Sequence, residues 1–126
     1  MKKTDSKLID SSVWLAYLFN GNHADIIDSE EILLMSVLSL FEIKKKLSKS
    51  KVENNKVVRC MEFVKKRSLI VPVNEEISEK AVDFSLENNL SIIDSIIYTT
   101  SMLNESILIT LDNDFTGLKN VIVLKN

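Results

Sequence analysis

A chain of 126 residues with 45% hydrophobic content has the length of one ordinary domain and enough apolar surface for a core, so a single unit over residues 1–126 is expected. Its formal charge of −2 excludes a domain that coats nucleic acid without specificity, because phosphate-driven binding needs a cationic excess. Apolar runs fall short of the roughly 18 residues of a bilayer span, and MKKTDSKLID lacks an apolar segment with a small-residue cleavage site; a soluble, cytoplasmic protein without membrane contact is expected. One cysteine, Cys60, and one histidine, His23, permit neither an internal disulfide nor a zinc site of the usual Cys/His kind.

Taken in chain order, strand and helix patterns alternate. Lys7 to Asp10 reads as a strand, and Ser11 to Leu18 as a helix through Val13, Trp14, Tyr17 and Leu18, with Ser11 or Ser12 available as N-cap. His23 falls in a polar loop, NGNHAD. Ile32 to Met35 is a second strand, and Val37 to Ser50 a helix with Leu40, Ile43 and Leu47 on one face. Asn54 to Lys66 is helical through Val57, Val58, Met61 and Val64. Leu69 to Val73 is a strand whose Pro72 suits a sheet edge or strand end. Glu75 to Asn88 is helical, Asn88 and Asn89 can close it in the left-handed conformation, and Ser91 opens another helix to about Leu103. Ile107 to Leu111 is a strand, Asn113 to Leu118 a turn or short helix, and Val121 to Leu124 a last strand. With two glycines and one proline, no linker or repeat interrupts this order. The alternation predicts an α/β fold, a three-layer α/β/α sandwich around a mostly parallel sheet.

Carboxylates stand in or beside the apolar runs: Asp10 in KLIDSSVWLAYL, Glu42 in SVLSLFEIKKKL, Asp94 in LSIIDSIIYTTS, and Asp112 with Asp114 in ILITLDNDF. Charges are rarely buried without a partner, and a metal ion is the partner this pattern calls for. In open α/β sheets ligands bind beyond the carboxyl ends of the strands, which is where Asp10 and Asp112 fall if their strands are neighbours. Each acid also has a purely structural explanation. Ser91 to Asp94 fits a capping box, Glu42 and Lys46 stand at i, i+4, Asp112 can cap the turn after it, and Asp10 the first helix. Four coincidences of this kind at element boundaries are less economical than one site.

Other motifs fail on detail. Asp112 to Gly117 opens like a calcium-binding EF-hand loop, but its twelfth position is Val123 and a strand pattern precedes it. No glycine-rich phosphate loop exists, and the helical spacing of Trp14 and Tyr17 favours packing over base stacking. Lysines 44, 45, 46, 49 and 51 follow Glu42, and Lys65, Lys66 and Arg67 form a second cluster; both suit a solvated helix face or a phosphate-binding rim.

The ordered set LIDSSVWLAYL, SLFEIKKKL, IIDSIIYTTS and LITLDNDF resembles the PIN-domain ribonucleases, and among them the single-domain toxins of VapC type, over essentially the whole chain. The family's alanine after the third acid is Ser95 here, and its glycine before that helix is replaced by Asn88 and Asn89. The resemblance implies that Asp10, Glu42, Asp94 and Asp112 are the catalytic acids, that Asp10, Asp94, Asp112 and Asp114 hold the metal, and that Ser12 and Thr110 support the site. It further implies an RNA substrate, a cognate antitoxin and a homodimer. Oxygen donors suit Mg2+ or Mn2+, and such ions can activate water and neutralise phosphoryl charge. Lys45, Lys46 and Lys49 are candidates for guiding the RNA backbone. A receiver-like phosphoacceptor domain is the first alternative, although it wants an adjacent acid pair after the first strand and a late lysine; a non-catalytic PIN-like binding or scaffold module is the second.

Overall fold

The structure, a computed structural model, describes residues 6–126. Five strands form the sheet: β1 (Lys7–Ile9), β2 (Leu33–Ser36), β3 (Leu69–Val71), β4 (Ile107–Thr110) and β5 (Val121–Val123). Their order is β3-β2-β1-β4-β5 and every pairing is parallel. The helices are α1 (Ser11–Asn20), α2 (Ala24–Ile27), α3 (Val37–Lys49), α4 (Asn54–Arg67), α5 (Glu75–Asn88) and α6 (Ile92–Leu103). This order differs from the 2-1-3-4-5 of receiver domains, so the receiver-like alternative falls.

Strand alternation divides the core in two, as the period of two along a strand requires. Ile9, Leu33, Met35 and Ile109 face one way, onto Val13 and Trp14 of α1, Ile43 and Leu47 of α3, and Val57, Met61 and Val64 of α4. Leu8, Leu34 and Leu108 face the other way, onto Ile97 and Tyr98 of α6. Helices α1 to α4 therefore cover one face and α6 the other, with α5 packed along α6. That is the expected three-layer sandwich. Each fully buried aliphatic side chain contributes about 1.5 to 3 kcal/mol, and Trp14, wholly buried, is core. It meets Phe63 edge-on with centroids 6.4 Å apart, while Tyr17 stacks on Phe63 at 5.7 Å.

Local chemistry sets the element ends. Ser36 caps α3 by accepting from the Leu38 N–H at 3.2 Å, and Asn74 caps α5 by accepting from the Ile77 N–H at 2.9 Å. Asn89 closes α5 at φ 54°, the left-handed role expected of an asparagine there. Pro72 follows β3, an edge strand. Two expectations are corrected. Neither Ser11 nor Ser12 is the N-cap of α1; Asp10 occupies that position, with no side-chain cap bond, and both serines enter the helix. The loop around His23 contains the one-turn helix α2, and His23 stands before it at φ 64° with Nε2 3.1 Å from Asn126 Oδ1.

Candidate functional site

Strands β1 and β4 are neighbours in parallel register, Leu8 opposite Leu108 and Ile9 opposite Ile109. Because β1 pairs with β2 on its other side, the connections leave in opposite directions here. Such a switch point opens a crevice at the carboxyl edge of the sheet. Asp10 follows β1 directly and Asp112 lies two residues beyond β4.

Asp10 is only 8% exposed, and two hydroxyls meet on its Oδ2. Thr110 Oγ1 donates to it at 2.7 Å and Ser12 Oγ at 2.9 Å. Each hydroxyl also accepts a backbone bond, Thr110 from the Asp112 N–H at 3.0 Å and Ser12 from the Leu111 N–H at 3.0 Å. The pair thus ties the first acid to the segment that carries the last. Burial pushes the Asp10 carboxyl above its ordinary range; the bonds from Thr110, Ser12 and the Ser11 backbone oppose this, and the charge of Asp112 adds to it.

Glu42 reaches the same edge from the second turn of α3. Ser11 Oγ donates to its Oε1 at 3.0 Å, and among the described residues no ion pair joins Glu42 to Lys46. Partial burial raises its carboxyl, the Ser11 hydroxyl lowers it, and the Asp10 charge raises it again. The serine at 11, available by sequence only as a cap, is therefore a residue that orients an acid. Its one sequence signal is its place between Asp10 and Ser12.

Asp94 comes from the first turn of α6. The serine half of the capping box is formed, with Ser91 Oγ accepting from the Asp94 N–H at 3.2 Å, so capping and site membership coexist. Its carboxyl is pushed up to about 6, first by burial, then by the charges of Asp112 and Asp10, with the Ser91 hydroxyl opposing and Asp114 adding. Asp112 likewise caps its turn, Oδ1 accepting from the Asp114 N–H at 2.9 Å. Ser95 Oγ is turned to the carbonyls of Ser91 and Leu90, at 2.6 and 3.4 Å, which accommodates a hydroxyl where the resembled family often has alanine.

Asp94, Asp112 and Asp114 each bring one carboxylate oxygen to within 4.8 Å of the other two. An all-oxygen donor set of this size fits a hard divalent ion such as Mg2+ or Mn2+. Asp10 stands beside this trio, coupled by charge to Asp94 and Asp112, and Glu42 is coupled by charge to Asp10. Lys45, Lys46 and Lys49 line a groove of about 280 Å³ with Phe41 and Glu42. Arg67 does not belong to a phosphate rim. Its Nε donates to Ile27 O at 2.6 Å and its Nη2 to Ser29 O and Glu31 O at 2.8 and 3.2 Å, fastening the segment between α2 and β2.

Comparison with known proteins follows the same lines. A search of curated sequences finds no match. Among solved structures, the fold is similar to a toxin-antitoxin complex from Klebsiella pneumoniae (TM-score 0.77, 23% identity, 93% of this chain and 96% of that one). It is similar to VapBC2 of Rickettsia felis bound to a promoter DNA fragment (TM-score 0.76, 14% identity, 94% and 97%). It is also similar to VapC20 of Mycobacterium tuberculosis, a toxin that cleaves the sarcin-ricin loop (TM-score 0.73, 17% identity, 94% and 99%). These likenesses establish the fold. The sequence profile of the PIN domain matches residues 7–120, nearly the whole chain, and the protein belongs to the PIN-domain family.

Proposed function

We propose that the protein is a metal-dependent endoribonuclease of VapC type, the toxin of a toxin-antitoxin pair. The observation that carries this reading is the convergence of Asp10, Glu42, Asp94 and Asp112 from four separate elements on the switch-point crevice, with three of the four carboxyls pushed upward. Isolated surface acids do not crowd in this way. In this reading Asp94, Asp112 and Asp114 hold Mg2+ or Mn2+, with Asp10 a further ligand and Glu42 acting directly or through water. A bound divalent ion supplies water activation at neutral pH and charge neutralisation on the phosphodiester. The chain's own contribution is orientation: Ser12 and Thr110 fix Asp10, Ser11 fixes Glu42, and the backbone of Leu111 and Asp112 fixes both supporting hydroxyls. Lys45, Lys46 and Lys49 guide the RNA backbone. No protein nucleophile is required.

The toxin-antitoxin complexes among the structural relatives support an antitoxin that covers the acidic crevice. Leu86 and Ile92, 80% and 77% exposed on α5 and α6, support a homodimer through that face. Incubation of mixed RNA with wild type and Asp10→Asn tests the activity. Cleavage in Mg2+ or Mn2+ by wild type only, abolished by chelator, is expected; cleavage by a contaminant-free preparation in excess chelator refutes the metal reading.

A further inference from the structure

An aromatic ring gains most by leaving water, yet Phe41 is 66% exposed beside Glu42. Packing of α3 does not ask for it. The helix buries Ser39, Ile43 and Leu47, and residues two apart do not share a helical face, so Phe41 points away from Ile43. The ring instead walls two grooves: one with Glu42, Lys45, Lys46 and Lys49, and another of about 370 Å³ that runs to Met61 and Lys65 of α4. Lys45 Nζ lies 5.6 Å from the ring centroid.

We infer that Phe41 is a base-stacking residue, which holds one nucleobase of single-stranded RNA beside the acid cluster while Lys45, Lys46 and Lys49 meet the phosphates of the same strand. This inference rests on the ribonuclease reading and adds to it a subsite for the substrate's base. Single strands are held by a cationic groove together with aromatic faces on which bases stack, a combination tolerant of sequence. Helix α3 has both within two turns of Glu42. Charge selects the occupant, since Glu42 is the sole acid of α3 against four lysines. Continuity selects RNA over an acidic peptide: the groove has Glu42 in its wall, and Glu42 is coupled to Asp10, so a strand that follows the lysines arrives at the acids. Trp14 and Tyr17, the other aromatics considered for stacking, are used up against Phe63.

The test compares Phe41, Phe41→Ala and Phe41→Trp, each in an Asp10→Asn background so that nothing is cleaved, by anisotropy of a labelled oligouridine and of an abasic ribose-phosphate oligomer of equal length. Phe41→Ala should lose about 5- to 150-fold in affinity for oligouridine and less than about 2-fold for the abasic oligomer, while Phe41→Trp keeps the affinity of Phe41. Equal affinities of Phe41→Ala and Phe41 for oligouridine, as expected if the ring docks a protein segment, overturn the inference. An equal loss on both oligomers overturns it too, because the ring then acts only through Lys45. If wild type also fails to cleave RNA in Mg2+ and neither oligomer binds, the ribonuclease reading fails with it; metal-dependent cleavage by wild type together with an indifferent Phe41→Ala overturns stacking alone.

Discussion

Crowded carboxylates destabilise the metal-free protein, and the sign of that effect is measurable at single residues. The Asp94 carboxyl titrates near 6 in the folded protein against about 3.9 in an unfolded chain. Between those values the folded state binds more protons, so stability is highest at low pH and is lost as pH rises through about 6. Asp10 and Glu42 are pushed the same way and steepen the slope. In chelator, wild type should therefore melt higher at pH 5 than at pH 7.5. Asp94→Asn should stabilise the protein at pH 7.5 by about 1 kcal/mol after solvent screening, roughly 4 °C in melting temperature, and the difference should close toward pH 4. Destabilisation at pH 7.5 would mean that Asp94 acts only through its cap. The opposite sign is expected for the supporting hydroxyl. Thr110→Val removes the 2.7 Å bond to buried Asp10 and leaves the Asp112 N–H without its acceptor, costing about 1 to 3 kcal/mol, read by urea melts, with slower RNA cleavage.

Among the elements, α3 and α4 both carry cationic clusters, and the two clusters do different things. Lys45→Glu with Lys49→Glu reverses the groove beside Glu42 and should weaken RNA binding and flatten its salt dependence while leaving the melting temperature within a degree or two; wild-type binding and salt slope would make the run a solvated surface. Arg67→Met should do the reverse, leaving RNA affinity alone and destabilising the fold by about 2 to 4 kcal/mol, since its guanidinium serves three backbone carbonyls and bonds to charged groups are the strong ones. Sequence could not separate Arg67 from Lys65 and Lys66, because its partners lie about 40 positions earlier. Most elements were legible because their apolar period is strong: the helix over 37–50 is found at Val37–Lys49, and the proline after Val71 marks an edge strand. Helix α2 was not, because four residues are too few to show a period and a polar loop surrounds them. Asp10 and Asp112 were legible as strand-end acids, whereas the role of Ser11 depends on Glu42, 31 positions away, and no local pattern encodes that distance.

For the whole molecule, what matters most is the pairing of β1 with β4, the central seam of the sheet. Lys7, Leu8 and Ile9 lie opposite Ile107, Leu108 and Ile109, and the bond from Thr110 to Asp10 spans 100 positions of sequence. Non-local parallel pairings form slowly, since loop closure must precede any gain from contact. On a ribosome adding about 5 to 20 residues per second, roughly 5 to 20 s separate the emergence of β1 from that of β4. Throughout that interval Asp10 has Ser12 beside it but lacks the Thr110 hydroxyl and Asp112 beyond. A chain released after Asn104 is expected to lack a protease-resistant core and to cleave no RNA, while extension through Val123 restores both. The strand made first occupies the middle of the sheet and must wait for its second neighbour, so the acidic crevice cannot take shape on a half-made chain. If the protein is the nuclease proposed here, a nascent chain cannot cut the messenger that encodes it before β4 has been translated.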